Sequence, residues 1–310
     1  MKAISNKFRG LFAFLVTPTA EDGEVVDEGR LRELIDLHIE AGMHGLTVFG
    51  STGAIGSFSE EERRRVIAVA ARHVAGRVPL VAGTGAMTTA ETIRMTRYAA
   101  DQGVDAVLVV PITYWPLRDS EIIGHYEAIA RSSTVPLGIY NNPTTTGTDI
   151  KPEVIARLAE LDSVAFVKES SGDPARISAV RHLTGHSVSV FNGKDSIAPE
   201  CFAAGADGWF SGGCNVLMRE CVRLFALGHE APRDFGAVLA YFETLYPIFD
   251  MQSRCGTIRV AHSGLALRGH DMGPPRRPLR PLEASDRAML ERLLSGLEAT
   301  MPARPLAPAK

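Results

Sequence analysis

Lysine is scarce in this 310-residue chain, and one of its six lysines stands where it could act as a nucleophile. Lys168 follows the apolar residues 164–167 and precedes the polar residues Glu169 and Ser170. Burial lowers the pKa of an ammonium group because it removes water, and a neutral amine can attack a carbonyl carbon to form a Schiff base. A lysine at a strand end can equally extend its charge to solvent, so position alone leaves both roles open.

Hydroxyl groups that could work with such an amine follow two other apolar runs. Tyr140 ends one run, and a phenol beside an amine can carry protons during addition to a ketone and loss of water. Another run ends in Gly50-Ser51-Thr52-Gly53, whose backbone amides and hydroxyls could hold a carboxylate without an arginine. The alternatives are a core tyrosine with a satisfied hydroxyl and an ordinary glycine turn.

The elements that must position these groups follow one repeating pattern. A short apolar run, a polar or glycine-rich loop and an amphipathic segment of helical period recur eight times. Ser59 with Glu62 and Thr88 with Glu91 are capping-box pairs that begin two of the helices. Eight apolar strands, each followed by a helix, predict an α/β protein with the (βα)8 TIM-barrel fold. The predicted strands are residues 11–16, 45–49, 79–82, 106–110, 137–140, 164–167, 188–191 and 208–211.

The segments after the eighth strand predict additional C-terminal helices. We divide the chain into a barrel (1–225), a helical appendage of the same domain (226–301) and a flexible tail (302–310). Chemistry in such a barrel gathers at the carboxyl ends of the strands, so Lys168, Tyr140 and Ser51 are expected to converge there. No GxGxxG motif follows the first strand, which weakens a dinucleotide-binding interpretation.

Composition excludes several classes of partner. A net charge of −3, with 22% charged residues, gives no basic surface for nucleic acid or anionic membrane, and we interpret the run at residues 60–65 as a solvated helix face. The four cysteines lack metal-ligand spacing, which favours reduced thiols in the cytoplasm. Lys2, Lys7 and Arg9 precede an apolar run too short for a secretion signal or membrane span.

Five motifs stand at the ends of predicted strands: Gly50-Ser51-Thr52-Gly53, Ala82-Gly83-Thr84-Gly85, Tyr140-Asn141-Asn142-Pro143, Val167-Lys168-Glu169 and Asn192-Gly193. Together they resemble, in order and spacing, the dihydrodipicolinate synthase and N-acetylneuraminate lyase superfamily. The resemblance runs from about Phe12 to the final helix. It implies a (βα)8 barrel with C-terminal helices that needs no cofactor or metal and is usually a homotetramer built from two tight dimers.

The resemblance also implies roles for individual residues. Lys168 is expected to form the Schiff base with a 2-oxo acid such as pyruvate, and Tyr140 is expected to shuttle protons. Ser51 is expected to continue that relay as a third catalytic residue. Thr52 is expected to join Ser51 both in that relay and in binding the carboxylate.

Three positions depart from the true synthases of this superfamily. Thr145 stands where they carry an arginine for the carboxylate of the second substrate, and Ala54 replaces a glutamate. Thr113 replaces a relay tyrosine, with Tyr114 one residue further, so either could complete the relay. We place Thr113, Tyr114, Thr145 and Gly193 with Thr52 among the substrate-binding residues.

These departures favour one substrate class over another. Neutral threonine hydroxyls suit a polyhydroxylated chain better than a second carboxylate. The chain is therefore more similar to the 2-keto-3-deoxy sugar-acid aldolases and dehydratases, with a 2-oxo acid and an aldehyde as its small-molecule partners. The alternative is a lysine-pathway synthase that condenses pyruvate with aspartate semialdehyde.

Three rival classes stay open. A metal-dependent aldolase would need clustered ligands, and His182 and His186 are predicted to share a helix face away from the strand ends. A phosphosugar enzyme could use Gly193 and Ser211-Gly212-Gly213 as a phosphate cradle with Lys194 as the amine. The third is a small-molecule sensor that keeps the fold without catalysis.

Overall fold

The strands of this protein close into a single barrel. The computed structural model describes residues 8–231 and 234–300. The strands are β1 Gly10–Phe14, β2 Gly45–Val48, β3 Leu80–Gly83, β4 Ala106–Val109, β5 Leu137–Asn141, β6 Val164–Glu169, β7 Ser189–Asn192 and β8 Gly208–Ser211. All pairs are parallel, each strand lies beside the next in chain order, and β8 pairs with β1. The predicted (βα)8 fold is confirmed, and no predicted strand end is displaced by more than two residues.

Helices surround the barrel and continue beyond β8, as predicted. They are α1 Glu28–Glu40, α2 Glu60–Val74, α3 Thr89–Asp101, α4 Asp119–Ser132, α5 Pro143–Thr146, α6 Pro152–Leu158, α7 Ala175–Leu183, α8 Ala198–Ala203, α9 Met218–His229, α10 Phe235–Cys255, α11 Thr257–Leu267 and α12 Ala284–Thr300. In the part of the chain that the structure describes, none of them has the length and apolarity to cross a membrane.

The proposed division of the chain stays a prediction. The limit after residue 225 lies inside α9, which runs from Met218 to His229 and packs against α10. The predicted tail at residues 302–310 lies outside the described residues, as do Lys2 and Lys7.

The two predicted helix starts differ in detail. At α2, Ser59 and Glu62 form the full capping box, with each side chain bonded to the other's backbone amide. At α3, Thr88 accepts from the Glu91 amide, but its hydroxyl donates to the Glu91 carboxylate. That carboxylate makes no return bond to the Thr88 amide, so the start of α3 is a simple side-chain cap.

The interpretation of residues 60–65 as a solvated face is wrong at Arg63. This side chain is 6% exposed, and its guanidinium donates to the Gly85 carbonyl at 2.9 Å beside the Phe49 ring. Arg63 lies on the side of α2 that faces the sheet, where a long side chain can reach a carbonyl at a strand end. Burial lowers its pKa to about 10.

The barrel interior is filled by aromatic rings. Phe12, Phe166, Phe191 and Phe210 are at most 1% exposed, and the Phe191 and Phe210 ring centroids lie 4.6 Å apart. Glycine makes room for them: a Cβ at Gly138 would lie 2.2 Å from the Phe166 ring. This packed floor closes the barrel below the strand ends and holds their side chains in place.

We expect Phe210→Ala to lower the free energy of unfolding by about 3–5 kcal/mol, because a cavity replaces a ring that contacts four others. Urea unfolding followed by circular dichroism measures the loss. Leu183→Ala is the matched control, since Leu183 is 46% exposed and its truncation should change stability by less than about 0.5 kcal/mol. Equal losses in the two variants would contradict the packed-floor interpretation.

Candidate active site

Lys168 lies inside β6 and is 3% exposed. Its Nζ is 3.5 Å from the centroid of the Phe14 ring and 4.1 Å from that of Tyr140. Desolvation lowers the pKa of this amine, although Tyr140 and the carboxylate of Asp195 partly oppose the shift. β6 continues one residue past Lys168, to Glu169, and does not open into a loop at Lys168. The position favours a neutral amine over the alternative of a charge extended to solvent.

Tyr140 is the direct neighbour of Lys168 in the sheet, because the β5–β6 register pairs these two residues. Its hydroxyl lies 3.3 Å from Ser51 Oγ, within reach of a hydrogen bond, and the predicted relay role of this pair stays a prediction. Asn142 Nδ2 donates to both hydroxyl oxygens, at 2.9 Å each. We call this group the Ser51–Tyr140–Asn142 triangle. It brings together two predicted catalytic residues and one that the sequence analysis had named only as part of a motif.

A tight turn after β2 carries Ser51 into the triangle. Gly50 has φ +120° and a Cβ there would lie 2.2 Å from the Phe14 ring, so only glycine fits. Phe49 and Ala54 bracket the turn with φ +59° and +51°, a conformation that costs energy in non-glycine residues and is concentrated at functional sites. Thr52 is buried and faces Gly212 after β8, where a Cβ would lie 2.9 Å from Thr52 Oγ1.

Gly193 provides the space that Lys168 occupies. A Cβ at this position would lie 2.6 Å from Lys168 Cε and 1.9 Å from Ser170 Oγ. The Ser170 hydroxyl is buried and lacks a hydrogen-bond partner among the described residues. Sequence reasoning did not select Ser170, although it directly follows the strand that carries Lys168. The contact of Gly193 with Lys168 is steric, and its predicted substrate-binding role stays a prediction.

Asp195 fixes the ends of β7 and β8 beside the site. Its carboxylate accepts from Trp209 Nε1 at 3.0 Å and from the Gly213 amide at 2.8 Å. Burial raises the pKa of this carboxyl, although these donors and Ser211 oppose the shift. A carboxylate thus already occupies the turn that the phosphosugar alternative needs as a phosphate cradle. Sequence reasoning missed this role because it depends on Trp209, which is distant in the chain.

A second polar network holds the ends of β5 and β6 together. Glu169 is 3% exposed and accepts from Asn141 Nδ2 at 3.1 Å and from Arg176 Nε at 3.2 Å. Asn141 also accepts from the Ile150 amide at 2.9 Å. A buried carboxylate with charged and neutral donors is well compensated, so this network fixes the backbone on both sides of Lys168 and Tyr140.

Three predicted substrate-binding residues show no hydrogen bond to the side chains of the triangle among the described residues. Thr113 Oγ1 bonds to the backbone of Trp115, forming a local turn. Tyr114 is 78% exposed. Thr145 lies on α5, one turn after Asn142, and is exposed at the mouth of the barrel. The structure therefore does not place Thr113 or Tyr114 in hydrogen-bond contact with Tyr140 or Ser51.

The metal-dependent alternative finds no support in residues 8–231 and 234–300, where no three His, Cys, Asp or Glu side chains form a metal site. His182 lies in the last turn of α7, but His186 follows the helix with φ +61°. The predicted shared helix face is wrong because α7 ends at Leu183.

An amine buried among rings, with hydroxyls beside it at the strand ends of an eight-stranded barrel, is the arrangement of a lysine-dependent aldolase-type lyase. The family model described as the dihydrodipicolinate synthetase family matches residues 7–297, and this chain belongs to that family. Its members are class I, Schiff-base lyases, and the chain is an enzyme of this type.

Named relatives and solved structures agree on the family. A 4-hydroxy-tetrahydrodipicolinate synthase of Stenotrophomonas maltophilia is 35% identical over 94% of this chain and 96% of the relative. A putative dihydrodipicolinate synthetase from Pseudomonas aeruginosa has a TM-score of 0.90 and 35% identity over 94% of this chain and 99% of its own. YagE from E. coli K12, a prophage protein of the family solved with pyruvate, has a TM-score of 0.87 and 28% identity, at coverages of 94% and 99%.

We expect Lys168→Met to raise the free energy of unfolding at pH 7, and to raise it less at pH 10. Because burial lowers the pKa of Lys168 in the folded state, the unfolded chain binds more protons, and wild-type stability rises with pH in that interval. Methionine has no proton to lose, so the advantage of the variant is greatest at the lower pH. Urea unfolding at both pH values measures it, and an equal gain at both would contradict a depressed pKa.

Proposed function

We propose that this enzyme acts on pyruvate or a pyruvate-derived 2-oxo acid through a Schiff base on Lys168, as a 2-keto-3-deoxy sugar-acid aldolase or dehydratase. The observation that carries the proposal is the 3% exposure of Lys168, whose amine contacts aromatic rings instead of a carboxylate. Burial lowers the pKa of such an amine and so favours its neutral, nucleophilic form. An intact nucleophile with adjacent hydroxyls also argues against a non-catalytic sensor.

The mechanism follows from the positions of the side chains. Neutral Lys168 attacks the ketone carbon of the 2-oxo acid, and Tyr140 passes a proton to the carbinolamine hydroxyl, which leaves as water. The turn at Ser51 and Thr52 holds the carboxylate. The iminium then acts as an electron sink. If the bond between the α and β carbons breaks while the β-hydroxyl gives up its proton, an aldehyde leaves and the enamine of pyruvate remains; if the α carbon loses a proton instead, the resulting enamine expels the β-hydroxyl as water.

The choice of substrate depends on the mouth of the barrel. Thr145 is exposed there on α5, with a hydroxyl where a synthase has a guanidinium. A hydroxyl cannot offer the bidentate, charged grip that arginine gives to a carboxylate. This favours an acceptor aldehyde with neutral hydroxyls over one with a second carboxylate.

A second candidate function is 4-hydroxy-tetrahydrodipicolinate synthase, which condenses pyruvate with aspartate semialdehyde. The specific observation in its favour is the name of the Stenotrophomonas maltophilia relative, which matches nearly the whole chain. Both candidates share the proposed Schiff base on Lys168, and the aldolase and the synthase differ in the aldehyde that they use.

We also propose a cytoplasmic homotetramer built from two tight dimers. The supporting feature is an exposed apolar group at the barrel mouth: Met87, Tyr114 and Trp115 are 57%, 78% and 72% exposed. Aromatic side chains of this size are common at the centre of protein interfaces. Analytical ultracentrifugation of the purified chain tests the assembly.

The Schiff base has a direct test. We expect incubation with pyruvate and borohydride to add one reduced pyruvate to the peptide that contains Lys168, located by mass spectrometry. Lys168→Met should abolish the adduct. Lys194→Met, the matched control, should retain it, because Lys194 lies in the turn after β7 and no described contact places its side chain against Lys168 or Tyr140. An adduct on Lys194, or none at all, would refute the proposal.

The acceptor is tested separately. We expect sugar-derived aldehydes such as glyceraldehyde to condense with pyruvate at a kcat/KM at least about tenfold above that of aspartate semialdehyde. The carboxylate of the semialdehyde lacks an arginine partner at position 145, and the loss of one hydrogen bond between charged groups costs about this factor. Thr145→Arg should shift this ratio toward the semialdehyde. A wild-type preference for aspartate semialdehyde would instead establish the second candidate.

A further inference from the structure

Asn142 occupies a position in the site that the proposed mechanism does not yet use. Its side-chain nitrogen lies 2.9 Å from Tyr140 Oη and 2.9 Å from Ser51 Oγ, while the two hydroxyls are 3.3 Å apart. An amide nitrogen offers two hydrogens and accepts none. Both hydroxyl oxygens therefore accept a hydrogen bond from the same group.

This arrangement determines how the hydroxyl protons are distributed. Only one of the two protons can form the bond between Ser51 and Tyr140, so the other points out of the triangle. When Ser51 donates, the Tyr140 proton is free, and the Tyr140 ring lies against the Lys168 amine. When Tyr140 donates, the Ser51 proton is free. Rotation of the hydroxyl hydrogens exchanges these two states without movement of any heavy atom.

The same geometry stabilises Tyr140 after it has given up its proton. In carbinolamine dehydration, the Tyr140 O–H bond breaks and its proton goes to the departing hydroxyl. The carbon–oxygen electrons leave with that water, and the nitrogen lone pair forms the C=N bond. The phenolate that remains accepts from Asn142 Nδ2 and from Ser51, and hydrogen bonds to a charged form favour that form.

The backbone of Asn142 is fixed independently of these contacts. Its carbonyl accepts from the Thr145 amide at 3.1 Å and from the Thr146 amide at 3.0 Å, which begins α5. The side chain is 7% exposed. The amide nitrogen is thus held in place before substrate arrives, which is the condition for preorganised stabilisation of a developing charge.

We propose that Asn142 is a positioning residue that acts through Tyr140, donating to its oxygen so that Tyr140 transfers protons as a phenol–phenolate pair. This inference rests on the proposed Schiff-base function. The inference gives Tyr140 a hydrogen-bond donor, Asn142 Nδ2, whereas neither Thr113 nor Tyr114 bonds to the Tyr140 hydroxyl among the described residues. The variants that separate the possibilities are Asn142→Leu, which is close in shape and has no donor, and Asn142→Asp, which has acceptors only.

The experiment uses pyruvate alone, so the unidentified aldehyde is not needed. Exchange of the pyruvate methyl protons in deuterated buffer, followed by NMR from pH 6 to 10, reports proton removal through the enamine. We expect Asn142→Leu to slow exchange about 10- to 100-fold at pH 7, as for loss of one hydrogen bond to a charged group. Its pH profile should move to higher pH, because the phenolate is less stable without the donor. Asn142→Asp should be at least as slow.

Two controls distinguish positioning from a general loss of structure. Both variants should keep the wild-type thermal unfolding midpoint within a few degrees and, after long incubation, the same final yield of borohydride-trapped Lys168 adduct. A loss of the same factor at every pH would show a merely structural role and overturn the inference. Exchange at the wild-type rate in Asn142→Asp would also overturn the inference. It would mean that the side-chain oxygen of Asn142, and not its nitrogen, faces the two hydroxyls.

Failure of the proposed function has a different signature. A wild-type enzyme that neither traps pyruvate on Lys168 nor exchanges its methyl protons would refute both proposals together. Wild-type trapping and exchange with an unshifted Asn142→Leu profile would leave the Schiff base intact and overturn only the role of Asn142.

Discussion

The removal of the Lys168 amine from water is the constraint on which the arrangement at the strand ends depends. A charged amine enclosed by Phe14 and Tyr140 would be costly without an ion-pair partner, so burial favours the neutral form that a nucleophile needs. The surroundings must then solve two problems. They must leave room for a long side chain, and they must supply protons that the amine itself no longer carries.

The neighbouring strands meet these needs with different residues. Gly193 leaves the space beside Lys168, and the network of Glu169, Asn141 and Arg176 holds the backbone of β5 and β6 in register. Tyr140 and Ser51 carry hydroxyl groups within hydrogen-bond reach of one another. Because rigid strands carry most of these groups, their geometry is set by folding and does not wait for substrate.

The sequence was sufficient for the fold and for part of the site. Apolar runs at regular spacing located all eight strands, and strand-end chemistry selected Lys168, Tyr140 and Ser51, which do converge. The directions of the side chains could not be predicted from the sequence. Arg63 was interpreted as solvated because it lies in a charged run, but it is buried. Thr113 was interpreted as a substrate-binding residue, but its hydroxyl bonds to the backbone of a local turn. Asn142 and Asp195 were missed because their importance depends on partners distant in the chain, Ser51 and Trp209.

The short helix α5 has a consequence for how such an enzyme can change. None of its four residues is buried, whereas its first turn is anchored through the carbonyl of Asn142. Exposed positions tolerate substitution with little loss of stability, so Thr144 and Thr145 can vary while the chemistry behind them is preserved. Under the proposed function, the molecule thus separates a fixed reaction from an adjustable choice of acceptor. New specificities are therefore accessible by single substitutions at the rim, without passing through an unfolded or inactive intermediate.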